Sequence, residues 1–461
     1  MARALRRPGV NIFDASRPLW QLFFVFLIPL MLSNILQSAS QTFSSIFLGR
    51  MLGVNALAAV SAVFPIIFLL FSFLIGIASG SNVLIGQAYG AGDAHRVKKV
   101  AGTVLGATFA FGIIVAIVGT LISPSMLALL QTPANILPQA DAYAKVVFLI
   151  SPIIFPYLAY TTFLRGTGDS QTPFYFLIIS TLLTLVFTPM FIRGWLGVPQ
   201  LGVVSAAVAG LLSQGISFGA MLWWLQRLDH PLKFDAETAR DMLVDWKIFR
   251  TVVRIGVPTG IQVIMVSLAE IAVISFVNRF GSNATAAYGA VNQVVSYVQF
   301  PAISIGITAS IFGAQCIGAR REDLLGTVVR SAVGLNYLIG GVLIALCYIF
   351  ARIILGWFII DPHTLNVAHT LLMITLWSYL LFGNSAVISG VVRSSGDVIV
   401  PTINGIFAIW GIEVPAAYLL MHHYGLNGVW MGYPISFVVV VLLQYSYYTF
   451  FWKKKTHQRL V

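Results

Sequence analysis

Twelve stretches of this chain are apolar enough, over a sufficient length, to cross a lipid bilayer, and they decide the fold class before any motif is considered. Crossing the ~30 Å hydrocarbon layer as a helix takes about 20 mostly apolar residues. The stretches run roughly over 20–47, 57–83, 100–122, 142–163, 174–192, 203–226, 251–278, 285–311, 327–351, 367–391, 402–421 and 429–451. Composition agrees, since 58% of the 461 residues are hydrophobic and only 9% are charged, against about 25% in ordinary soluble domains. The expectation is an all-α polytopic membrane protein. The apolar stretch after the basic leader "MARALRRPGVNIFDASRPLW" is too long for a signal-peptide core and is read as the first span.

Orientation follows from the lysines and arginines, because short basic loops stay cytoplasmic. With the N-terminus inside, beginning with Arg3, Arg6 and Arg7, only Arg50, Lys145, Arg193, Arg279 and Arg352 of the 27 basic residues fall outside. Both termini are therefore expected in the cytoplasm, in a cell inner membrane. The net charge of +12 then reflects inner loops facing anionic lipid. These residues are dispersed and form no continuous patch, which excludes a nucleic-acid partner. Two cysteines, Cys316 and Cys347, give no disulfide framework. The histidine pair His422–His423 is read as solvated, leaving any metal site unknown.

The chain also repeats itself. Arg165 in "RGTGDSQTP" and Arg393 in "RSSGDVIVP" are 228 positions apart, as are Gln87 and Gln315. Pro29 and Pro258, and Arg50 and Arg279, differ by 229, and Gly202 and Gly428 by 226. Each half is thus a six-helix unit. An even number of spans returns the chain to the same side, so the halves share orientation and a pseudo-two-fold axis along the membrane normal. The expected division is an N-lobe at 1–226, a cytoplasmic linker at 227–250 and a C-lobe at 251–461. In the repeated R-x-x-G-D-x-x-x-P, Gly-Asp and the proline suit a tight turn between spans; the arginines are read as bonding that turn or a lipid phosphate rather than a substrate.

Parallel six-helix repeats suit a transporter that binds solute between lobes and alternates its access. An enzyme would need converging acids, bases or nucleophiles, and such residues are scarce, so no catalytic residue and no cofactor is expected.

The segments "LRGTGDSQTP", "IGQAYGAGD", "GRMLGVNALAAV" and "LGVVSAAVAG" together resemble the multidrug and toxic compound extrusion (MATE) family over essentially the whole chain. The resemblance implies secondary antiport of bulky, usually cationic organic compounds against protons or sodium. Similar proteins carry an aspartate in the first span, where this chain has Ser44, and N-x-x-x-D-P in the fifth, where it has Thr184 and Thr188 before Pro189. Some use another aspartate in the tenth span, where this chain offers Asn384 beside Tyr379. The carboxylates that the resemblance implies for coupling at those positions are replaced here by uncharged residues.

Sorting the fifteen acidic residues leaves Glu270 and Glu413 well inside spans, where an ionisable group costs a few kcal/mol or more and is a candidate for proton or cation coupling. Glu270 matches a position where the resemblance implies a seventh-span coupling glutamate; its counterpart at an offset of 229 is Gln41. Glu413 stands where similar proteins commonly have arginine, and coupling and structural roles are both open for it. Asn34, Gln37 and Gln41 form a polar stripe at helical spacing, and Gln262, Tyr288, Asn292, Gln293 and Tyr297 a second. With Tyr379 and Asn384 these are the expected substrate-cavity residues, with interhelical bonding as the alternative. Pro29 is a candidate gating hinge. The resulting expectation is a MATE-type exporter acting as a monomer in the lipid bilayer, driven by protons in preference to sodium. The alternative is a flippase for lipid-linked saccharides.

Overall fold

The structure, a computed structural model, describes residues 9–14 and 16–460. Arg3, Arg6 and Arg7 lie outside the described residues. The all-helical expectation holds: eleven helices among the described residues are long and apolar enough to cross a membrane, and one bent pair brings the number to twelve. In chain order they are α1 (Leu19–Leu52), α2 (Val54–Gly90), α3 (Ala94–Leu129), the bent α4 (Leu137–Leu149 with Ser151–Gly166), α5 (Gln171–Arg193) and α6 (Gly202–Arg227). The second six are α7 (Trp246–Asn278), α8 (Ser282–Gly318), α9 (Glu322–Ile349), α10 (Pro362–Arg393), α11 (Ile399–Tyr424) and α12 (Leu426–Lys454).

Local sequence explains where these helices bend and stop. The two parts of α4 meet at 55°: Ile150 still bonds back to Val146 at 3.1 Å, but Pro152 follows in the first turn of the second part and has no N–H to continue the ladder. The repeated Gly-Asp turn is equally local. Gly168 and Gly396 take φ of 89° and 87°, a region that other residues rarely adopt. Asp169 then caps α5 by accepting from the N–H groups of Gln171 (3.1 Å) and Thr172 (2.9 Å), donors that a helix start leaves unsatisfied.

The helices form two compact units. The first contains Leu32–Gly256 with the short stretch ending at Val10; the second contains Asn11–Met31 and Val257–Leu460. Two helices therefore change unit partway along. For α1 the change falls after Met31, two residues past Pro29, and for α7 it falls after Gly256, two residues before Pro258. The repeated proline thus marks the same event in both halves.

In the first unit, α2, α3 and α4 enclose a core around Val63, Leu74, Phe148 and Phe155. The linker docks beneath it through a short helix, Ala236–Asp241. Lys98 of α3 bridges Asp235 at 2.6 Å and Glu237 at 2.8 Å, His95 reaches Glu237 at 2.8 Å, and Lys99 reaches Asp245 at 2.8 Å. Tyr160 donates its hydroxyl to the carbonyl of Leu232. The linker backbone lies so near α3 that a methyl group on Gly106 would stand 2.0 Å from the Met242 carbonyl.

In the second unit α8 packs closely against α10. A Cβ at Gly390 would sit 2.3 Å from the carbonyl of Gly306, so glycine permits the backbones to touch, as small residues do between membrane helices. The first part of α1 completes this unit by packing Phe23 and Phe26 on Phe312, with ring centroids 5.2 and 5.4 Å apart.

Candidate functional site

Both intramembrane glutamates fall in the second unit. Glu413 closes a π-helical segment of α11, Phe407–Glu413, a distortion frequent at functional sites because it re-aims a side chain. It is buried, 5% exposed, with the Ser436 hydroxyl beside its carboxylate; that hydroxyl donates to the Ala408 carbonyl at 3.0 Å. Glu270 lies within electrostatic reach of Glu413 and keeps an open surface on α7. One carboxylate is thus enclosed and the other accessible. Like charges within reach of one another in low-dielectric surroundings repel, so a bound proton or cation relieves the pair.

Three tyrosines complete the setting. Tyr288 of α8 and Tyr433 of α12 join hydroxyl groups at 3.0 Å, and Tyr288 stacks on Trp430 at 5.6 Å. Tyr379 of α10, buried, packs edge-on to Phe437 at 5.2 Å, and its phenol feels both glutamates and Tyr288. Asn292, one turn along α8, has its side chain near Tyr288. Five expected site residues, Glu270, Glu413, Tyr288, Asn292 and Tyr379, therefore gather with Tyr433 and Ser436, which the sequence reading did not select. A readable signal existed: Trp430, Tyr433 and Phe437 follow helical spacing on α12.

Other expected residues lie elsewhere. The Gln262 carbonyl accepts from Arg393. Asn384 accepts from the Asn336 amide at 3.1 Å and donates to Tyr337 at 2.8 Å, joining α10 to α9. Gln293 is half-buried, and Tyr297 is exposed with its ring edge-on to Phe300. Asn34, Gln37 and Gln41 belong to the first unit; Gln41 is exposed, and Gln37 lines a cavity with Arg165. Pro29 stands just before α1 changes unit.

The repeated arginines differ. Arg393, 9% exposed, donates to Thr259 at 2.6 Å, Thr402 at 3.3 Å and Ser389 at 3.1 Å as well as to Gln262. It ties α7, α10 and α11 together, a buried charge held by neutral oxygens. The Arg165 guanidinium, by contrast, makes no hydrogen bond or ion pair among the described residues and has only the Tyr157 phenol within electrostatic reach.

The MatE family model matches residues 29–190 and 258–419, one match in each sequence repeat. The chain is 52% identical over 458 residues to "Probable multidrug resistance protein YoeA" of Bacillus subtilis (strain 168), covering 99% of both chains. It is 23% identical to "Multidrug export protein MepA" of Staphylococcus haemolyticus, covering 91% of this chain and 90% of that one. Among solved structures, a point mutant of the Vibrio cholerae MATE transporter VcmN superposes with a TM-score of 0.87 at 18% identity over 95% of this chain and 97% of that one. A MATE protein in the bent conformation gives 0.84 at 22% identity, over 94% and 95%. The helical, two-lobe architecture is that of these structures, and the chain belongs to the MatE family of multidrug and toxic compound extrusion proteins, which makes it a membrane transporter and not an enzyme.

Proposed function

We propose that the protein is an inner-membrane antiporter, with both termini cytoplasmic, that exports bulky cationic organic compounds in exchange for protons. The observation that carries this reading is the pairing of accessible Glu270 with enclosed Glu413 among Tyr288, Tyr379 and Tyr433. The pair tolerates either a bound proton or an organic cation far better than it tolerates neither. Exchange between the two occupants is the essence of antiport. The names of the relatives, a probable multidrug resistance protein and a multidrug export protein, point to the same class of cargo.

In this reading Glu270 exchanges protons with water, while Glu413 sets the local charge and the tyrosine hydroxyls orient both carboxylates. Aromatic faces from Tyr379, Phe382 and Phe437, within 5.2–6.1 Å of one another, offer cation–π contact. The unit changes beside Pro29 and Pro258 supply positions for bending. The halves 1–226 and 251–461, joined by the linker at 227–250, act as the two moving lobes of a monomer.

The test is uptake of a fluorescent organic cation into proteoliposomes holding the full chain, under an imposed pH gradient or an imposed sodium gradient. Uptake driven by the pH gradient and lost in Glu270→Gln is expected. Uptake driven by sodium alone, or full pH-driven uptake by a correctly inserted Glu270→Gln, would overturn the proposal.

A further inference from the structure

The two halves share the motif containing Arg165 and Arg393 but not its surroundings, and the difference exposes a site in the first unit. Arg393 is held by Thr259, Gln262, Thr402 and Ser389. At the repeat offsets of 229 and 228 the first three correspond to Leu30, Ser33 and Phe174. Two of the oxygens are replaced by hydrocarbon and the third residue is too short to reach like glutamine. Only Ser389 keeps a hydroxyl counterpart, Thr161, whose own proton goes to the Leu158 carbonyl at 2.7 Å. Asp169 forms no ion pair with the arginine either: one carboxylate oxygen accepts from the N–H groups of Gln171 and Thr172, and the other is buried without a hydrogen-bond partner.

Arg165 instead lines a cavity of about 230 Å³ with Gln37, Ser81, Thr108, Thr161 and Thr162. The remaining wall is apolar, including Phe71, Leu74, Ile75 and Leu158. A charge left without a partner beside hydrocarbon is costly, and an arginine's planar fork is suited to a carboxylate or phosphate. The volume falls below the ~300–1,000 Å³ of pockets that enclose a whole drug-sized ligand. A small acidic head group with part of an apolar body fits this space and this lining.

We propose that this cavity binds the acidic head group, carboxylate or phosphate, of an amphiphile, with Arg165 as its counter-ion and Gln37, Thr161 and Thr162 flanking it. The inference concerns binding and does not depend on the coupling role of Glu270. The amphiphile is either a water-borne organic acid or an anionic lipid, and the two sources are separable.

The test uses the full chain in phosphatidylcholine nanodiscs and a dansyl-undecanoic acid probe, compared with the same probe ended as an amide and as a trimethylammonium. The acid is expected to bind at least tenfold more tightly than either analogue, with that preference lost in Arg165→Gln and partly kept in Arg165→Lys. Displacement of the acid by phosphatidylglycerol in the Arg165-containing protein would identify a lipid source. Acid binding that phosphatidylglycerol leaves unchanged would identify a water-borne one. If Arg165→Gln does not fold, Ala78→Leu, which fills the cavity from α2, is expected to abolish acid binding while Glu270→Gln leaves it intact. Equal binding of the three probes, or an acid preference that survives Arg165→Gln or Ala78→Leu, would overturn the proposal.

Discussion

The hydroxyl groups of Tyr288 and Tyr433 meet at 3.0 Å and fasten α8 to α12 beside two intramembrane glutamates. Either hydroxyl can donate while the other accepts, so the bond has two polarities.

Removing either hydroxyl tests that relationship. Tyr433→Phe and Tyr288→Phe should each cost about 1 kcal/mol of stability for the lost hydrogen bond and slow pH-driven uptake several-fold at a fixed gradient. The double variant should be little slower than either single one, as for residues acting on one network. Proteoliposome rates with thermal unfolding in detergent measure both effects.

The acidic pair should behave as a unit as well. Glu270→Gln and Glu413→Gln are each expected to reduce coupled uptake at least tenfold, and the double variant should fall by much less than the product. Strictly multiplicative losses, read from initial rates, would show that the two carboxylates work separately.

The paired arginines should separate stability from binding. Arg393→Gln leaves several buried oxygens without their donor and should destabilise the second unit by about 1–3 kcal/mol. Arg165→Gln removes no side-chain hydrogen bond and relieves an unpartnered charge, so the unfolding midpoint should hold or rise. Thermal unfolding of the two variants side by side is the check.

The linker clamp has a calculable pH window. Burial works to raise the Asp235 carboxyl, but the Lys98 ammonium and the Thr238 donors prevail and hold it at about 2; Glu237 is also lowered by Lys98 and His95. Their stabilisation is complete above the ordinary carboxylate range of about 4 and is lost as pH falls through the depressed values. At the other end the clamp needs Lys98 as an ammonium, the form a lysine keeps below about 10.4. Between about pH 5 and 9 the Lys98 bridges persist, and a fluorescent probe at the exposed position 243 should therefore report a docked linker. Lys98→Met should release it across that whole range.

Much of this arrangement was legible because lipid imposes harsh rules. Apolar length gave the spans, the repeat gave two halves, and scarcity of intramembrane charge singled out Glu270 and Glu413. Tyr433 and Ser436 escaped notice because an isolated tyrosine or serine in a span resembles an interfacial anchor or a helix-packing residue, and only the fold brings α12 beside α11. Gln262 and Asn384 looked like cavity residues by type. Their partners, Arg393 and Asn336, lie 131 and 48 positions away, beyond the reach of any local pattern. The bend in α4 was available in Ser151–Pro152, but the continuous apolar run concealed it. The contrast between Arg165 and Arg393 was also written in the repeat, yet it gained meaning only when Thr259, Gln262 and Thr402 were seen around one arginine and a cavity beside the other.

The most direct measurement is proton release on binding. Purified full-length protein in weakly buffered detergent is mixed with an organic cation while a pH dye reports free protons. The wild type should release protons in proportion to bound cation, and Glu270→Gln should bind the cation with little release. Binding by the wild type without proton release, or equal release by Glu270→Gln, would contradict the claim that cation and proton exchange at this glutamate pair.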